Sequence, residues 1–417
     1  MIEFLYTIIN ILLLPVLLVN LLYRGVVGKE DLYRIHERLG FSFVSRPQGK
    51  LYWIHAASVG EAMSVSNLVN YLHARDIKIV FTSYTLNSAK AIKKKYGEKV
   101  VHQFIPLENY FAIKLFLNKW KPDLAVFVES EFWPVIIYQT SKKANIISIN
   151  TRISKETRVK WNKFSSFAKS FLNKIKFFYP QTVSDLNFLK EFGLRNAKYL
   201  GNLKYNVKKP IIDEYAFQEL SKAISERKSI LLFSSHKNEE EVLIKKYIEL
   251  KKEFSDLLLI IAPRHPERRD EIINIINNHK LSYKLRSKKQ EIDNKTQIYL
   301  ADTIGELPVL FRVSSVNVVG GSLNQDIGGH NPIEPALQAK ASLMGPYHYN
   351  FNEIVDEFQK DKAIFLVKNI GELDKEVAKL LKNPELVREY GKNAFKLVRE
   401  KAKMTEKIFS QLSKEEE

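Results

Sequence analysis

The chain has 417 residues, 45% of them hydrophobic, which is enough for two folded domains with sizeable cores. It contains no cysteine, and this excludes disulfide bonds, thiolate nucleophiles and cysteine-ligated zinc. Lys and Arg number 65 against 47 for Asp and Glu, so the net charge of +18 favours a phosphate-rich or anionic-membrane partner, unless it reflects a lysine-rich proteome.

An almost wholly apolar segment opens the chain, from Ile2 to Tyr23, with Glu3 as its only charge. Its length suits a membrane segment. Basic residues follow from Arg24 onwards and none precedes the segment, so the positive-inside rule predicts a membrane anchor at residues 1–24 and a cytoplasmic remainder. Pro15 predicts a kink, which also allows a shallow anchor, and a buried N-terminal helix is the alternative.

Short β-branched runs alternate with longer amphipathic stretches after this segment, and the alternation predicts an α/β fold. Because the runs are nearly unbroken, we expect parallel strands that are buried on both faces. The predicted strands are Leu51–His55, Ile77–Ser83, Leu124–Val128, Ile146–Asn150, Ile230–Ser234, Leu257–Ala262, Gln297–Leu300 and Val316–Val319.

A charged, proline-containing segment, Asn206–Ile212, breaks this rhythm and indicates a linker. We therefore predict two Rossmann-like, doubly wound domains at 25–205 and 206–390, followed by a helix and tail at 391–417. Ligands of such sheets bind beyond the carboxyl ends of the strands. We expect the two domains to face a common cleft, lined by the polar motifs that follow strands.

In the first domain, Ser58-Val-Gly60-Glu61 follows the first predicted strand. Gly60 would permit a close backbone approach to a ligand. Glu61 falls in the first turn of the next helix, where the helix dipole favours an ionised carboxylate. Such a group either complements the dipole or acts as a general base on an attacking hydroxyl.

Two further motifs of this domain carry charge at strand or domain ends. Glu129 and Glu131 follow the strand Leu124–Val128, and two carboxylates in this position are unusual for a plain surface. Lys204, in Gly201-Asn-Leu-Lys204, precedes the linker. It is either a solvated lysine or a cation that stabilises charge on a reacting phosphate or carboxylate.

The second domain carries motifs that suit a nucleotide. Arg264 follows a strand, and its planar fork suits phosphate. Ile304-Gly305-Glu306 opens a helix whose amides could bind an anion. In the glycine-rich stretch 320–335, Asn331, Pro332 and Glu334 match the N-cap, N1 and N3 positions of a helix, so a capping role for Glu334 competes with a ribose-binding role.

The sequence contains no P-loop, HExxH, GxSxG or DxD motif, and its nine histidines are not spaced as metal ligands. We therefore expect metal-independent chemistry and no cofactor.

An ordered set of motifs carries a family resemblance: HAASVGE, ESEFWP, NTRIS, GNLKYN, SSHKNEEE, PRHPERR, DTIGEL, VVGGSL, GGHNPIEPA and GPYHYNF. Up to about residue 352, the chain resembles the 3-deoxy-D-manno-octulosonic acid (Kdo) transferases of lipopolysaccharide synthesis. It departs from their pattern at Thr151, at Val135 and in SSHKNEEE, which bears on the acceptor side.

The resemblance implies a GT-B fold with an N-terminal membrane segment at the cytoplasmic face of the inner membrane, whose anionic surface would be a partner. It implies metal-free, inverting transfer of Kdo from CMP-Kdo to the lipid A precursor, lipid IVA. Glu61 would be the general base, with Glu131 and Lys204 supporting the transition state. The implied CMP contacts are Pro263, Arg264, Ile304, Gly305, Glu306, Asn331, Pro332, Ile333 and Glu334. Further candidates in the matched motifs are Ser58, Gly60, Ser235, His236, Gly321 and Ser322.

Three alternatives remain at this level. The first is a GT-B enzyme that uses another nucleotide sugar, and the second, from a different functional class, is a basic nucleic-acid-binding protein. The sequence has no recognised nucleic-acid module and no concentrated basic stripe, so we expect no specific nucleic-acid partner. The aromatic stretch Trp161–Phe178 is either an amphipathic core helix or a surface for the membrane and acyl chains.

Overall fold

The structure is a computed structural model that describes residues 2–207 and 210–412. The chain forms two compact units, the first comprising residues up to Asn206 together with the end of the chain from Lys401, the second Val207–Glu400. Part of the predicted linker, residues 208–209, and the last residues of the predicted tail, 413–417, lie outside the described residues.

The first unit is built on a six-stranded sheet in the order β3-β2-β1-β4-β5-β6, with every pair parallel. Its strands are β1 Leu51–His55, β2 Lys78–Ser83, β3 Val101–Phe104, β4 Leu124–Val128, β5 Asn145–Thr151 and β6 Phe177–Pro180. The strand order reverses between β1 and β4, and ligands of doubly wound sheets bind at such a switch point.

Helices cover both faces of this sheet because alternate residues of each strand point to opposite faces. In β1, Leu51 and Trp53 enter one hydrophobic cluster, while Tyr52 and Ile54 enter the other. The helices are α1 Ile2–Leu12, α2 Leu14–Val26, α3 Ile35–Arg38, α4 Val59–Ser64, α5 Ser66–His73, α6 Leu86–Tyr96, α7 Tyr110–Trp120, α8 Pro134–Thr140, α9 Lys155–Lys163, α10 Ser165–Leu172 and α11 Val183–Glu191.

The second unit has a seven-stranded parallel sheet in the order β13-β12-β11-β7-β8-β10-β9, with its switch point between β7 and β11. Its strands are β7 Ser229–Ser235, β8 Leu258–Pro263, β9 Tyr283–Leu285, β10 Ile298–Leu300, β11 Val316–Val319, β12 Ser342–Met344 and β13 Phe365–Leu366. The helices are α12 Glu214–Ile224, α13 Glu239–Leu250, α14 Arg269–Asn278, α15 Leu307–Val313, α16 Ile333–Ala336, α17 Asn352–Lys360, α18 Leu373–Lys382 and α19 Pro384–Leu412.

Helix α19 differs from the separate helix and tail expected at 391–417. It begins at Pro384, and its end belongs to the first unit, where Ile408, Phe409 and Leu412 join the cluster behind β1. Hydrophobic burial on the first sheet therefore holds this end of the chain.

The aromatic stretch Trp161–Phe178 is not one helix. It comprises the end of α9, a break at Phe164, α10 and the start of β6. Trp161, Phe171 and Phe178 are buried in the core of the first unit, which agrees with a core role for the stretch.

The apolar N-terminal segment forms the bent pair α1–α2. Among the described residues no single helix has the length and apolar character needed to cross a membrane, whereas this pair, bent by 52°, meets that test by length and composition alone. Asn10 fixes α1 to the first unit, because its side chain accepts from the Tyr110 amide at 3.2 Å and its carbonyl accepts from Asn109. The opposite side exposes Phe4, Val16 and other apolar residues.

Candidate functional site

Glu61 lies beyond β1, at the switch point of the first sheet. Ser58 is the N-cap of α4, and its hydroxyl accepts from the Glu61 amide at 3.3 Å. The Glu61 carboxylate in turn accepts from the Ser58 hydroxyl and the Ala57 amide, both at 2.8 Å. This reciprocal arrangement is a variant of the capping box. It holds the carboxylate at the edge of the sheet.

The surroundings of Glu61 make it more basic. Burial raises the pKa of its carboxyl, and the negative charges of Glu129 and Glu131 raise it further, while hydrogen bonds from Ser58 and Ala57 oppose the shift. The helix dipole was expected to favour the ionised form. The net shift of the Glu61 pKa is nevertheless upward, because burial and the two neighbouring carboxylates raise it by more than the two hydrogen bonds lower it.

Glu131 is held by two aromatic side chains. Its Oε2 accepts from Trp133 Nε1 at 2.6 Å and lies 3.1 Å from His55 Nε2. The Thr82 hydroxyl accepts from Trp53 and lies 3.0 Å from His55 Nδ1. His55 Nδ1 also lies 3.1 Å from the Thr82 carbonyl oxygen, so Thr82 holds one ring nitrogen and Glu131 faces the other.

The two carboxylates have opposite pKa shifts. Burial alone would raise the pKa of Glu131, but the hydrogen bonds from His55 and Trp133 outweigh it, and the pKa is lowered. When their environments shift the pKa values of two neighbouring acids in opposite directions, the two acids can be assigned different roles. One accepts the proton, and the other remains a permanent charge. Here Glu61 is suited to accept a proton, and Glu131 to remain ionised.

Glu129 and Lys204 complete this group. Glu129 and Asn150, at the ends of β4 and β5, both have positive φ angles, 61° and 52°. Non-glycine residues in this region are strained, and such strain clusters at functional sites. Asn150 donates to Glu129 at 3.3 Å and accepts from the Leu203 amide, and Lys204 Nζ lies 3.9 Å from Glu129 Oε1.

The first unit thus brings Glu61, Glu129, Glu131 and Lys204 together at one edge of the sheet. Sequence reasoning did not select His55 or Asn150. His55 could have been selected from its position at the end of β1, within HAASVGE. Asn150 could not, because the sequence carries no signal for its backbone strain. Gly60 has open space around it, since a Cβ there would meet only Ser58 Oγ within 4 Å, at 3.9 Å.

In the second unit, Ser235 and Ser322 have structural roles. Ser235 is buried and donates to Glu240 at 2.7 Å. Ser322 is also buried, donates to the Val319 carbonyl and accepts from the Gly345 amide. These hydroxyls fix the ends of β7 and β11 and are not presented to solvent.

The loop after β11 is tied to α13 by Glu239, which sequence reasoning did not select. This buried carboxylate accepts from the amides of His236 at 2.8 Å, Gly321 at 2.7 Å and Leu323 at 2.9 Å. Gly321 has a φ of +70°, which favours glycine. Three main-chain donors on one carboxylate fix the course of the glycine-rich loop.

His236 and His330 form a pair across the switch point of the second sheet. Their Nε2 atoms are 2.7 Å apart and their rings are stacked. Burial lowers the pKa of both, to about 4 for His330, and the positive charge of Arg264 lowers both further. At neutral pH the pair is therefore uncharged, and one ring donates to the other.

The nucleotide candidates follow four neighbouring strands, β10, β8, β7 and β11, at the same edge of the second sheet. Pro263 ends β8, and the Arg264 amide donates to Ser235 O at 3.0 Å. Gly305, with φ of +94°, and the exposed Ile304 precede α15, while Glu306 pairs with Arg286 at 2.7 Å. Within the part of the chain described, Glu306 forms no hydrogen bond or ion pair with Arg264 or His236.

The predicted capping set at Asn331–Glu334 is shifted by one residue. Helix α16 begins at Ile333, so Pro332 is its N-cap rather than its first residue. Asn331 Oδ1 still accepts from the Ile333 amide at 3.0 Å. Glu334 has an exposed surface and makes no capping hydrogen bond within the described residues, although partial burial of its carboxyl raises the pKa of that group. Residues 2–207 and 210–412 contain no group of three or more His, Asp or Glu suited to a metal ion.

Comparison with known proteins gives consistent findings. The family profile of 3-deoxy-D-manno-octulosonic-acid transferases (kdotransferases) matches residues 33–207. A 3-deoxy-D-manno-octulosonic acid transferase of Rickettsia bellii is 32% identical, over 98% of this chain and 99% of that protein. One from Haemophilus influenzae is 27% identical, over 95% of both. The fold is similar to the crystal structure of a glycosyltransferase from Rickettsia africae, with a TM-score of 0.58 and 16% identity over 88% of this chain and 100% of that one.

Proposed function

This chain belongs to the 3-deoxy-D-manno-octulosonic acid (Kdo) transferase family, and from that membership and its site we propose that it transfers Kdo from CMP-Kdo to a hydroxyl of the lipid A precursor, lipid IVA. As a Kdo transferase it is a glycosyltransferase of lipopolysaccharide synthesis. The proposed reaction inverts the anomeric centre and needs no metal ion.

In this mechanism Glu61 takes the proton from the acceptor hydroxyl. The hydroxyl oxygen then forms a bond to the anomeric carbon of Kdo, and the bond from that carbon to the CMP oxygen breaks. The observation that supports this role is the setting of Glu61: fixed by Ser58 and Ala57, and made more basic by burial and by Glu129 and Glu131. A base with a raised pKa takes up a proton more readily at neutral pH.

The other charged groups of the first unit would act on orientation and charge. Glu131, which His55 and Trp133 keep ionised, would orient the acceptor or stabilise positive charge that develops on the sugar. Lys204, near Glu129, would offset the negative charge that accumulates around the reacting groups.

In the second unit the leaving CMP would be bound by groups that neutralise its phosphate. Arg264 and the amides of the glycine-rich loop are suited to this, and Asn331 to Glu334 would contact the nucleoside. The carboxylate of Glu334 is consistent with ribose binding, since capping does not occupy it.

We place this activity at the cytoplasmic face of the inner membrane. The apolar outer side of α1–α2 and the basic residues from Arg24 onwards support that location. The number of Kdo units transferred is an outcome of the experiment below.

The test is mass spectrometry of lipid IVA incubated with CMP-Kdo and purified wild type, Glu61→Gln or Glu156→Gln. Glu156 lies in the first turn of α9 and is exposed, so it controls for loss of a carboxylate at a helix N-terminus. We expect Kdo additions with wild type and Glu156→Gln, and at least about a hundredfold slower transfer with Glu61→Gln. CMP affinity should be equal in all three proteins.

Two results would contradict the proposal. Full activity of Glu61→Gln would remove the assignment of the base. If wild type gives no Kdo addition, competition between CMP and UDP for binding would test for another nucleotide-sugar donor.

A further inference from the structure

The first unit contains a cavity of about 570 Å³, next to the candidate base. Its volume falls in the range of about 300–1,000 Å³ that is usual for small-molecule sites. The cavity lies between the inner side of α1–α2 and the edge of the sheet where β1 and β4 end. Of the predicted site residues, Glu131 alone lines it.

One end of the cavity is polar and is continuous with the catalytic candidates. His55, Ala57 and Glu131 line it there, and the Ala57 amide is the group that donates to Glu61. A ligand in this end therefore lies beside the fixed carboxylates. Only part of such a ligand is accommodated there, because the cavity continues away from the sheet.

The remainder of the wall is mainly apolar. Leu17 and Leu21 of α2 line one side together with Leu13, which precedes that helix, and Leu107 and Ile136 line the other. Arg24 and Arg38 also border the cavity, but both are paired with Glu30, at 2.8 and 2.9 Å, and both stack on Tyr84. Both guanidinium groups thus share the one carboxylate of Glu30 and rest on Tyr84, and the leucine and isoleucine side chains make most of the remaining wall suited to hydrocarbon.

The same two helices expose apolar side chains on their outer side. Val16, Val19 and Leu22 are each at least 59% exposed, whereas Leu21 is buried. An amphiphile that approaches α1–α2 from a lipid surface thus meets apolar groups outside and, beneath the helices, an apolar cavity that leads to the carboxylates.

We propose that this cavity receives one hydrocarbon chain of the lipid acceptor and thereby places the acceptor's sugar at the end formed by His55, Ala57 and Glu131. The inference rests on the proposed function and extends it, since it assigns the acceptor's acyl subsite. The occupant is a chain of the acceptor rather than of a bulk lipid, because the polar end of the cavity is the catalytic edge itself.

The kinetic test compares tryptophan substitutions at two neighbouring positions of α2, one that lines the cavity and one that does not. Leu17→Trp reduces the cavity, and Val16→Trp, at an exposed neighbouring position, leaves it unchanged. Each protein is assayed with lipid IVA and with the same acceptor after chemical deacylation. Leu17→Trp should raise KM for lipid IVA at least about tenfold, the factor that two displaced methylene groups are worth. KM for the deacylated acceptor and the CMP affinity should not change, and Val16→Trp should behave as wild type.

A binding measurement keeps the inference testable without catalysis and without Leu17→Trp. Trp133 lines the cavity, so lipid IVA with brominated acyl chains should quench its fluorescence in the wild-type protein, and Trp133→Phe should lose that component. Quenching combined with absent transfer would retain the subsite and overturn the proposed function. Two results would overturn the subsite. One is binding of the brominated lipid without quenching of Trp133, and the other is an equal rise in KM for both acceptors in a folded Leu17→Trp protein.

Discussion

At the scale of single residues, Glu61 shows how a sequence can leave two roles open that the structure combines. A helix-capping glutamate and a catalytic base were alternatives in the sequence. In the structure the capping contacts with Ser58 and Ala57 are what fix the carboxylate at the sheet edge. The proximity of Glu129 and Glu131, which raises the pKa of Glu61, depends on β4 lying beside β1 and has no local sequence signal.

Glu108 is a residue that sequence reasoning passed over. It lines the cavity, its Oε1 accepts from the Val135 amide at 3.0 Å, and burial raises its pKa from 4.5 to about 7. A carboxyl whose pKa is raised in the folded state contributes stability that is fully present below its unfolded pKa and is lost as pH rises through the folded value. The relevant window is therefore about pH 4.5 to 7.

Glu108→Gln should accordingly be more stable than wild type at pH 8, and this advantage should shrink towards pH 4.5. Gln keeps the acceptor for Val135 but cannot ionise. The difference between about 7 and 4.5 corresponds to at most about 3.5 kcal/mol at about 1.4 kcal/mol per pKa unit. Thermal unfolding at pH 5 and pH 8 measures it, with the exposed Glu98→Gln as the control for loss of one charge. A pH-independent difference between Glu108→Gln and wild type would contradict the prediction.

At the scale of elements, the sequence predicted every interior strand except β12 and missed the four edge strands. The runs Leu51–His55, Leu124–Val128 and Val316–Val319 coincide with β1, β4 and β11. The missed strands β3, β6, β9 and β13 lie at sheet edges, and β12 is the short strand beside β13. An edge strand is paired on one side only, so it does not need the unbroken apolar run that identifies a strand buried on both faces.

The hydrogen bonds that tie the loop after β11 to Glu239 of α13, called the Glu239 brace below, could not be predicted from the sequence either. SSHKNEEE shows three consecutive glutamates, and nothing local distinguishes them. Glu239 is buried and bound to three amides, whereas Glu241 is only partly buried and pairs with Lys245 at 2.7 Å. Only the position of β11 beside β7 brings Gly321 and Leu323 to Glu239.

Replacing Glu239 tests this brace. In Glu239→Gln one amide oxygen can still accept from His236 and Gly321, but the NH₂ group then faces the Leu323 N–H. We expect the loop to lose about 2 kcal/mol of local stability, the usual worth of a hydrogen bond to a charged group. Hydrogen exchange of residues 318–331 should accelerate, and the CMP dissociation constant should rise about tenfold.

Glu241→Gln is the matched control on the same helix, because it removes an exposed pair worth about 0.5 kcal/mol or less. If both variants exchange and bind CMP alike, the Glu239 brace does not support the glycine-rich loop.

At the scale of the whole molecule, the order of motifs predicted two α/β units and the family, whereas the course of the chain ends had to be seen. Helix α19 starts in one unit and ends in the core of the other, although its sequence reads as a solvent-facing, charged helix. The N-terminal segment bends by 52° beside Pro15, where the sequence predicted a kink. Its docking through Asn10 had no such signal, because the partners of Asn10 lie about a hundred residues away, at Glu108 to Tyr110.

Membrane attachment remains a prediction, and the outer side of α1–α2 is where it can be tested. Val19 and Leu22 are 67% and 59% exposed. The net charge of +18 should also attract anionic vesicles, but salt screens that contribution, with a Debye length of about 3 Å at 1 M. The apolar contribution persists at high salt.

We therefore expect wild-type protein to remain bound to anionic vesicles in 1 M NaCl. The double variant Val19→Asp/Leu22→Asp should bind at least about tenfold more weakly, because burying one such side chain is worth about 1.5–3 kcal/mol. Co-sedimentation at 0.1 and 1 M NaCl measures both contributions. Ile211→Asp is the control, because Ile211 is 97% exposed in the second unit. Equal loss in the control would assign the effect to charge alone, and undiminished binding of the double variant would show that attachment does not use α1–α2.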